Sequence, residues 1–271
     1  MPELPEVETI KRQLDKLTAG KKIVSAEFFG PQKMINLPKN KFLKILTGTK
    51  IVGVNRRAKL LILELNNDYF LLTHLKMTGK YLWNMPKDKH THLVLKLNGK
   101  NQLNFKDVRK FGYLKLVKKE EMLEILENTY GPEPLDRGFT FSQFEKMLSQ
   151  KPKSKIKQLL LDQKFIAGIG NIYAGEACFY ANILPDRKVA TLKRQEIQKL
   201  FQGLKSILTM AVKCGGTTAD DYLDCYGEKG NYANKLKVYG RKGLPCYKCK
   251  TILKESRLGG RGTVFCPKCQ K

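Results

Sequence analysis

The sequence predicts an α+β protein in which strands come first and helices follow. Six short, partly alternating apolar runs lie before residue 118, helical spacing dominates after residue 138, and four paired cysteines lie near the C-terminus. Runs of strands followed by runs of helices are typical of α+β folds or of separate domains, and not of a parallel, doubly wound sheet.

The composition narrows the possible partners. The chain has 271 residues and a net charge of +26, from 51 Lys and Arg against 25 Asp and Glu. A hydrophobic content of 42% excludes wholesale disorder. Because we find neither a membrane-spanning apolar run nor a signal-peptide core, we expect a soluble, cytoplasmic protein. The charge favours nucleic acid first and an anionic membrane second, and a generally lysine-rich, solvated surface is the alternative.

The first element is a helix from about Leu4 to Leu17, with Val7, Ile10 and Leu14 at helical spacing between them. The six strand-like runs follow at residues 22–29, 50–57, 60–65, 69–77, 91–97 and 113–117. Turn residues separate them, which indicates an antiparallel sandwich or barrel in an N-terminal domain of residues 1–130.

The second part begins after a linker at residues 131–138, which has two prolines and two glycines. Helical spacing then predicts a domain over residues 139–234. Its helices are expected in residues 141–148, 155–163, 171–184 and about 193–213. Gly215 and Gly216 can end the last helix in a left-handed conformation at no steric cost.

The last module, residues 235–271, holds Cys246 and Cys249, then sixteen residues, then Cys266 and Cys269. This double C-x-x-C spacing predicts one structural zinc ion, because four thiolates complete a tetrahedral shell and leave no open position. Chance turns or a redox dithiol are the alternatives. The module has eleven basic residues and one acid, which suits contacts with phosphate.

The N-terminus offers a possible nucleophile. Removal of Met1 would leave Pro2 with a secondary amine that can attack a sugar aldehyde carbon, and an α-amine is less basic than lysine. Glu3 and Glu6 lie beside it, one helical turn apart. A purely structural interpretation places Pro2 at the first helical position and uses the acids to complement the helix dipole.

Eight short motifs are spread over nearly the whole chain. They are MPELPEVET (1–9), RRAKLL (56–61), THLKMTGKY (73–81), DVRKFG (107–112), GPEPL (131–135), AGIGNIYAGEA (167–177), KVYGRKGLPC (237–246) and GGRGTVFC (259–266). In this order, the motifs resemble those of the formamidopyrimidine-DNA glycosylase family, bacterial-type enzymes that remove oxidised purines from DNA.

This resemblance implies an N-terminal β-sandwich with flanking helices. It also implies a C-terminal helical domain with a helix–two-turn–helix element and a zinc-finger β-hairpin. The implied catalytic residues are Pro2 as the nucleophile, Glu3 as the general acid/base, and Glu6 as a second carboxylate that orients the N-terminus. Lys59 matches the proton donor in β-elimination, and Arg261 matches the arginine of δ-elimination. The expected partner is double-stranded DNA containing oxidised bases, bound by a monomer.

The resemblance also implies the DNA-binding residues. Met77, Arg109 and Phe111 match the family's triad that fills the vacated base stack, and a flexible Met with an aromatic wedge suits unstacked bases. The remaining expected DNA contacts are His90, Lys153, His74, Lys157 and Asn171. Residues 217–235 align with the loop that closes over the everted base.

Two other functions remain open from the sequence. One is an oxidised-pyrimidine glycosylase of the endonuclease VIII type, although PELPEVET and the stretch at residues 155–171 favour the purine enzyme. The other is a zinc-finger DNA-binding protein without catalysis, which has no need of a free N-terminal proline.

Overall fold

The computed structural model describes all 271 residues and divides them into two compact units. The first unit comprises residues 1–128 and 214–231, and the second comprises residues 129–213 and 232–271. None of the helices is long and apolar enough to cross a membrane.

The first unit contains two four-stranded antiparallel sheets. Their orders are β1-β6-β7-β5 and β2-β3-β4-β8. The strands are β1 (Ile23–Phe28), β2 (Ile51–Arg57), β3 (Leu60–Leu65), β4 (Tyr69–His74), β5 (Lys80–Trp83), β6 (Thr91–Leu97), β7 (Asn101–Lys106) and β8 (Tyr113–Lys118). The helices of this part of the chain are α1 (Leu4–Thr18), α2 (Lys39–Leu46) and α3 (Lys119–Thr129).

One hydrophobic core joins the two sheets. Leu95 and Phe105 from the first sheet and Leu63 and Leu116 from the second belong to the same buried cluster. The apolar face of α1, which includes Ile10, completes it. This shared core between two separate sheets confirms the predicted sandwich, and the barrel alternative is wrong.

The predicted first helix is confirmed, but its start differs from the structural interpretation of Pro2. Helix α1 begins at Leu4, with Glu3 as its N-cap and Pro5 in its first turn. Glu3 and Glu6 form a reciprocal capping box, so two backbone N–H groups at the helix start are satisfied by side chains. Pro2 therefore precedes the helix and does not occupy its first position.

The segment at residues 214–231 belongs to the first unit, whereas the sequence places it in the helical domain. Gln13 Nε2 on α1 donates to Asp224 Oδ2 at 2.7 Å, and Cys225 N donates to Gln13 Oε1 at 2.9 Å. Trp83 N on β5 donates to Cys225 O at 2.8 Å. These bonds join residues more than a hundred positions apart, and periodicity along the chain cannot reveal them.

The second unit contains the predicted helices. They are α4 (Phe141–Ser149), α5 (Ile156–Leu161), α6 (Asn171–Ala181) and α7 (Arg194–Lys213). Phe139, Phe144 and Phe201 form an aromatic cluster between α4 and α7, with ring centroids 5.7–6.0 Å apart. After α7, Gly215 and Gly216 have φ values of 73° and 86°, as their role in ending the helix requires.

The chain ends in the predicted hairpin. Strands β9 (Lys254–Leu258) and β10 (Arg261–Phe265) pair antiparallel, with Leu258 opposite Arg261. Gly259 and Gly260 form the two-residue turn with φ values of 57° and 76°. A tight hairpin turn of this kind needs positive φ at both positions, which glycine adopts without strain.

Candidate functional site

The Glu6 carboxylate fixes the N-terminal residues at the start of α1. Glu6 Oε2 accepts from Glu3 N at 2.7 Å, and Glu6 Oε1 accepts from Thr217 N at 2.7 Å. Pro2, Glu3 and Glu6 are all buried. At Gly216, an added Cβ would lie 2.9 Å from Glu6 Cγ and Oε1, so glycine is needed there for this approach. The bonds suit the orienting role that the resemblance implies for Glu6.

Lys59 lies in the turn between β2 and β3 and is buried. Arg56 Nη1 donates to Ala58 O at 2.9 Å within this turn, where Ala58 has a φ of 53°. Arg56 Nε also pairs with Glu8 Oε2 of α1 at 2.8 Å. This ion pair ties the turn that carries Lys59 to the helix that follows Pro2.

Glu8 stays charged because of its arginine partners. Burial alone raises the pKa of Glu8, but hydrogen bonds and charge from Arg56 and Arg12 outweigh burial and hold that pKa below its usual value. The sequence reasoning gave Glu8 no site role. The sequence feature that could have identified Glu8 is its place as the third acid among the first eight residues.

His74 ends β4 and carries a neutral imidazole. Its Nδ1 accepts from Lys76 N at 3.0 Å, so the proton of the neutral ring lies on Nε2. Burial, together with the charges of Lys76 and Lys59, lowers the pKa of His74 to about 3. The ring packs against Tyr113, with centroids 5.6 Å apart. His74 can therefore donate one hydrogen bond to a phosphate without being charged.

The predicted inserting residues lie on two loops and are exposed. Met77 is 39% exposed in the loop of residues 75–79, here called the Met77 loop. Phe111 is 52% exposed in the loop of residues 107–112, the Arg109 loop, and the Arg109 guanidinium lies 4.8 Å from its ring centroid. Exposed apolar side chains on loops are typical of binding surfaces and not of a core.

His90 lies close to the Arg109 loop. His90 O accepts from Asp107 N at 3.0 Å, and His90 N donates to Asp88 Oδ1 at 2.9 Å. The neighbouring His92 is buried, and its Nε2 donates to Asp107 O at 2.8 Å. His92 is thus a structural residue, while the DNA contact expected for His90 stays a prediction.

In the second unit, Lys157 and Asn171 hold the zinc-finger hairpin. The buried Lys157 Nζ donates to Asn171 Oδ1 and to Thr263 Oγ1, both at 2.8 Å. Asn171 Nδ2 donates to Gly262 O at 3.1 Å. Arg261 is exposed next to these bonds at the start of β10, and Lys153 is exposed before α5. The phosphate contacts expected for Lys157 and Asn171, and the DNA contact expected for Lys153, stay predictions.

Glu176 is a further residue that the sequence reasoning missed. It is buried on α6, and its two oxygens accept from the backbone N–H groups of Lys237, Val238 and Tyr239 at 2.8–2.9 Å. Burial raises the pKa of Glu176 despite these three hydrogen bonds, which act in the opposite direction. A single acid inside the almost fully buried helix α6 was the signal that could have found it.

The four cysteines of the finger converge as their spacing predicts. Cys246 Sγ lies 3.9 Å from Cys269 Sγ, and Cys249 Sγ lies 3.4 Å from Cys266 Sγ. Sulfurs in a tetrahedral zinc shell with Zn–S bonds of about 2.3 Å lie about 3.8 Å apart. All four sulfurs fall within 4.8 Å of one another, so the cluster fits one structural zinc ion.

Family models match the chain in three blocks. Residues 1–114 match the formamidopyrimidine-DNA glycosylase N-terminal domain. Residues 130–222 match the formamidopyrimidine-DNA glycosylase H2TH domain, and residues 243–271 match a zinc finger found in FPG and IleRS. The three blocks follow one another in the order that the sequence motifs predict.

Relatives and solved structures match over the full length. A formamidopyrimidine-DNA glycosylase of Listeria monocytogenes is 42% identical over 275 residues, covering 100% of both chains, and that of Bacillus cereus is 42% identical over 276 residues, covering 100% of this chain and 99% of its own. A complex of a Lactococcus lactis FPG mutant with Fapy-dG-containing DNA has a TM-score of 0.92 at 39% identity, and MutM with carbocyclic 8-oxo-G DNA has 0.91 at 39%. Both structures cover 100% of each chain.

These matches define a zinc-finger DNA glycosylase fold. The chain belongs to the formamidopyrimidine-DNA glycosylase family.

The first prediction concerns the charge of His74. Because Nδ1 is an acceptor and the pKa is about 3, the ring stays neutral between about pH 5 and pH 8. The unfolded chain protonates this residue near pH 6.5, so the folded state loses stability as the pH falls below that value. The protonation state of His74 is measured from the ring ¹⁵N chemical shifts of histidine-labelled protein over this pH range, with the His74 signals assigned by comparison with His74→Gln. A His74 titration midpoint inside that range contradicts it.

The second prediction concerns zinc. Cys266→Ser removes one of four thiolates, so the metal content falls and amide protection in β9 and β10 drops at least about tenfold in hydrogen exchange. Cys214→Ser is the matched control, because Cys214 lies outside the cluster. If Cys266→Ser loses its metal and the hairpin amides stay as protected as before, zinc does not hold the hairpin.

Proposed function

We propose that this protein is a DNA base-excision repair enzyme that removes oxidised purines, such as 8-oxoguanine and formamidopyrimidines, from duplex DNA and then cleaves the abasic site. The full-length match to named formamidopyrimidine-DNA glycosylases carries the proposal. Solved relatives bound to Fapy-dG, abasic-site and 8-oxo-G DNA support this substrate class over oxidised pyrimidines. The Pro2–Glu3 start favours an enzyme over a binding protein alone.

Pro2 is the proposed nucleophile. Removal of Met1, which a small second residue favours, gives a secondary α-amine that is less basic than a lysine side chain, so more of it is unprotonated near neutral pH. The amine attacks C1′ of the damaged nucleotide, the C1′–N bond breaks, and the base leaves with a proton. Ring opening of the sugar then gives an iminium between Pro2 and C1′. The buried Glu3, one residue away, is the proposed general acid/base for these proton transfers.

The strand is then cleaved in two eliminations. Loss of a C2′ proton breaks the C3′–O bond in β-elimination, and Lys59 is the proposed proton donor. A second proton loss breaks the C5′–O bond in δ-elimination, for which Arg261 is the proposed residue. Hydrolysis of the remaining iminium frees the enzyme and leaves a one-nucleotide gap.

The enzyme must first extrude the damaged base. Met77 and Phe111 are the proposed wedges that fill the vacated stack, and the Arg109 guanidinium offers donors to acceptors on the orphaned partner base. His90 and Lys153 are proposed to bind DNA, and His74, Lys157 and Asn171 are proposed to contact its phosphates. The net charge of +26 supports attraction to DNA that weakens as salt rises.

The zinc ion supplies structure and no chemistry, because four thiolates leave it no open position. Its proposed role is to stabilise the hairpin that carries Arg261. We place the enzyme in the cytoplasm, associated with the nucleoid through DNA binding, and acting as a monomer.

The third prediction tests the nucleophile. Borohydride reduction during reaction with duplex DNA containing 8-oxoguanine opposite cytosine traps a covalent adduct, and peptide mapping locates it on Pro2. Pro2→Gly slows trapping and cleavage at least about tenfold, because a flexible glycine amine is less well oriented. Pro38→Gly, an exposed N-cap proline of α2, is the control.

Two results refute the proposed mechanism. One is trapping and cleavage by Pro2→Gly at the normal rate, and the other is full activity of protein that retains Met1. A parallel substrate with an oxidised pyrimidine separates the two substrate classes.

A further inference from the structure

The Met77 loop and the Arg109 loop come from different parts of the sandwich. The Met77 loop follows β4 and leads to β5, while the Arg109 loop joins β7 to β8. The two loops leave the same end of the β4–β8 pair, where His74 lies opposite Tyr113. Three side chains that must enter one DNA site together are therefore spread over two independent segments.

Both loops have constrained backbones. Lys76 and Lys110 have φ values of 51° and 55°, which cost a non-glycine residue stability unless the surroundings enforce them. An added Cβ at Gly79 would lie 2.4 Å from Leu75 O, so this turn accepts no other residue without moving. A strained backbone conformation of this kind persists where hydrogen bonds from neighbouring residues hold it in place.

One buried carboxylate supplies such bonds to the Arg109 loop. Asp107 Oδ2 accepts from Gly112 N at 2.7 Å, and Asp107 Oδ1 accepts from Arg109 N at 3.2 Å. Its backbone is also engaged, because Asp107 N donates to His90 O and Asp107 O accepts from the His92 ring. Asp107 is fully buried, so these partners replace water completely.

Thr78 connects the two loops. Its Oγ1 donates to Asp107 Oδ1 at 2.5 Å and accepts from Arg109 N at 3.0 Å. The hydroxyl is buried next to Met77, with the side chain 7% exposed. A single hydroxyl thus bonds the residue after Met77 to the residues that set the position of Arg109.

We propose that Thr78 and Asp107 form a positioning pair that fixes the Met77 loop and the Arg109 loop relative to each other, so that Met77, Arg109 and Phe111 enter the base stack as one unit. Both residues are buried, so we assign the pair a positioning role and not a catalytic one. This inference rests on the proposed function, since it concerns base extrusion. The proposal implies that base extrusion, which precedes the chemical steps, depends on Thr78. Elimination at an existing abasic site depends on Thr78 less.

The fourth prediction compares two buried hydroxyls. Thr78→Val keeps the shape of the side chain and removes the hydroxyl. It slows single-turnover excision of 8-oxoguanine opposite cytosine at least about tenfold, in line with the loss of a bond to a buried charge. It also reduces the fluorescence rise of 2-aminopurine placed beside the lesion, which reports insertion. Cleavage of preformed abasic DNA falls by less than about threefold.

The controls separate positioning from stability. Thr78→Ser retains the hydroxyl and restores excision. Thr73→Val removes another buried hydroxyl, on β4, which lies 2.8 Å from the Tyr81 hydroxyl on β5. This variant lowers thermal stability without changing the fluorescence signal. Asp107→Asn is a second test of the pair. Its excision rate and fluorescence signal are measured only for the fraction of the protein that binds DNA.

The outcomes are distinct. If wild-type protein excises the lesion and Thr78→Val matches it in rate and fluorescence, the positioning pair is refuted and the proposed function stands. If Thr78→Val slows excision and abasic cleavage equally, its effect is general and the positioning pair is again refuted. If wild-type protein excises no oxidised purine, the proposed function itself fails.

Discussion

The two hydrogen bonds accepted by the Glu6 carboxylate are the constraint on which the N-terminal site depends. A nucleophile at the end of a chain has no preceding residues to fix its position. Glu6 solves this problem by binding Glu3 N on one side and Thr217 N on the other. The first bond closes the capping box of α1, and the second attaches a segment from more than two hundred residues later. The position of Pro2 therefore follows from helix capping, reinforced by a long-range bond.

The same physical device recurs twice in the molecule. Asp107 accepts from backbone N–H groups in the Arg109 loop, and Glu176 accepts from three consecutive N–H groups at residues 237–239. Each acid is buried, and each binds a segment that is itself neither strand nor helix. A buried carboxylate costs free energy unless several donors satisfy it, and oriented backbone amides supply such donors.

The sequence predicts most of the regular structure, for reasons visible in particular elements. Six of the eight sandwich strands are apolar and partly alternating, and they lie where expected. The other two are hidden, because β5 has four residues and β7 alternates polar Asn101, Gln102 and Asn104 with its apolar positions. The zinc cluster can be predicted from the sequence, because the two cysteines of each C-x-x-C pair are close together in the chain. The boundary at residue 214 cannot, because it depends on bonds to α1.

The candidate site divides in the same way. Its proposed nucleophile, its carboxylates and its cysteines lie in short motifs, and the structure brings Pro2, Glu3 and Glu6 together as those motifs imply. The motifs contain several supporting residues but do not show which of them pair. Thr78 and Asp107 are 29 positions apart, and Lys157 and Thr263 are 106 apart. Such pairs become apparent only when the fold places them in contact, so the sequence suggests candidate reacting groups but not the hydrogen bonds that hold them.

The most direct test of this account is the rate of covalent trapping on abasic DNA by Glu6→Gln, compared with Glu124→Gln. Both variants remove one negative charge, but Glu124 is exposed on α3, whereas Glu6 serves two backbone amides. A glutamine at position 6 has one oxygen for two donors, so we predict trapping slower by at least about tenfold for Glu6→Gln and no change for Glu124→Gln. Trapping by a folded Glu6→Gln protein at the wild-type rate would show that the N-terminal nucleophile does not depend on this carboxylate.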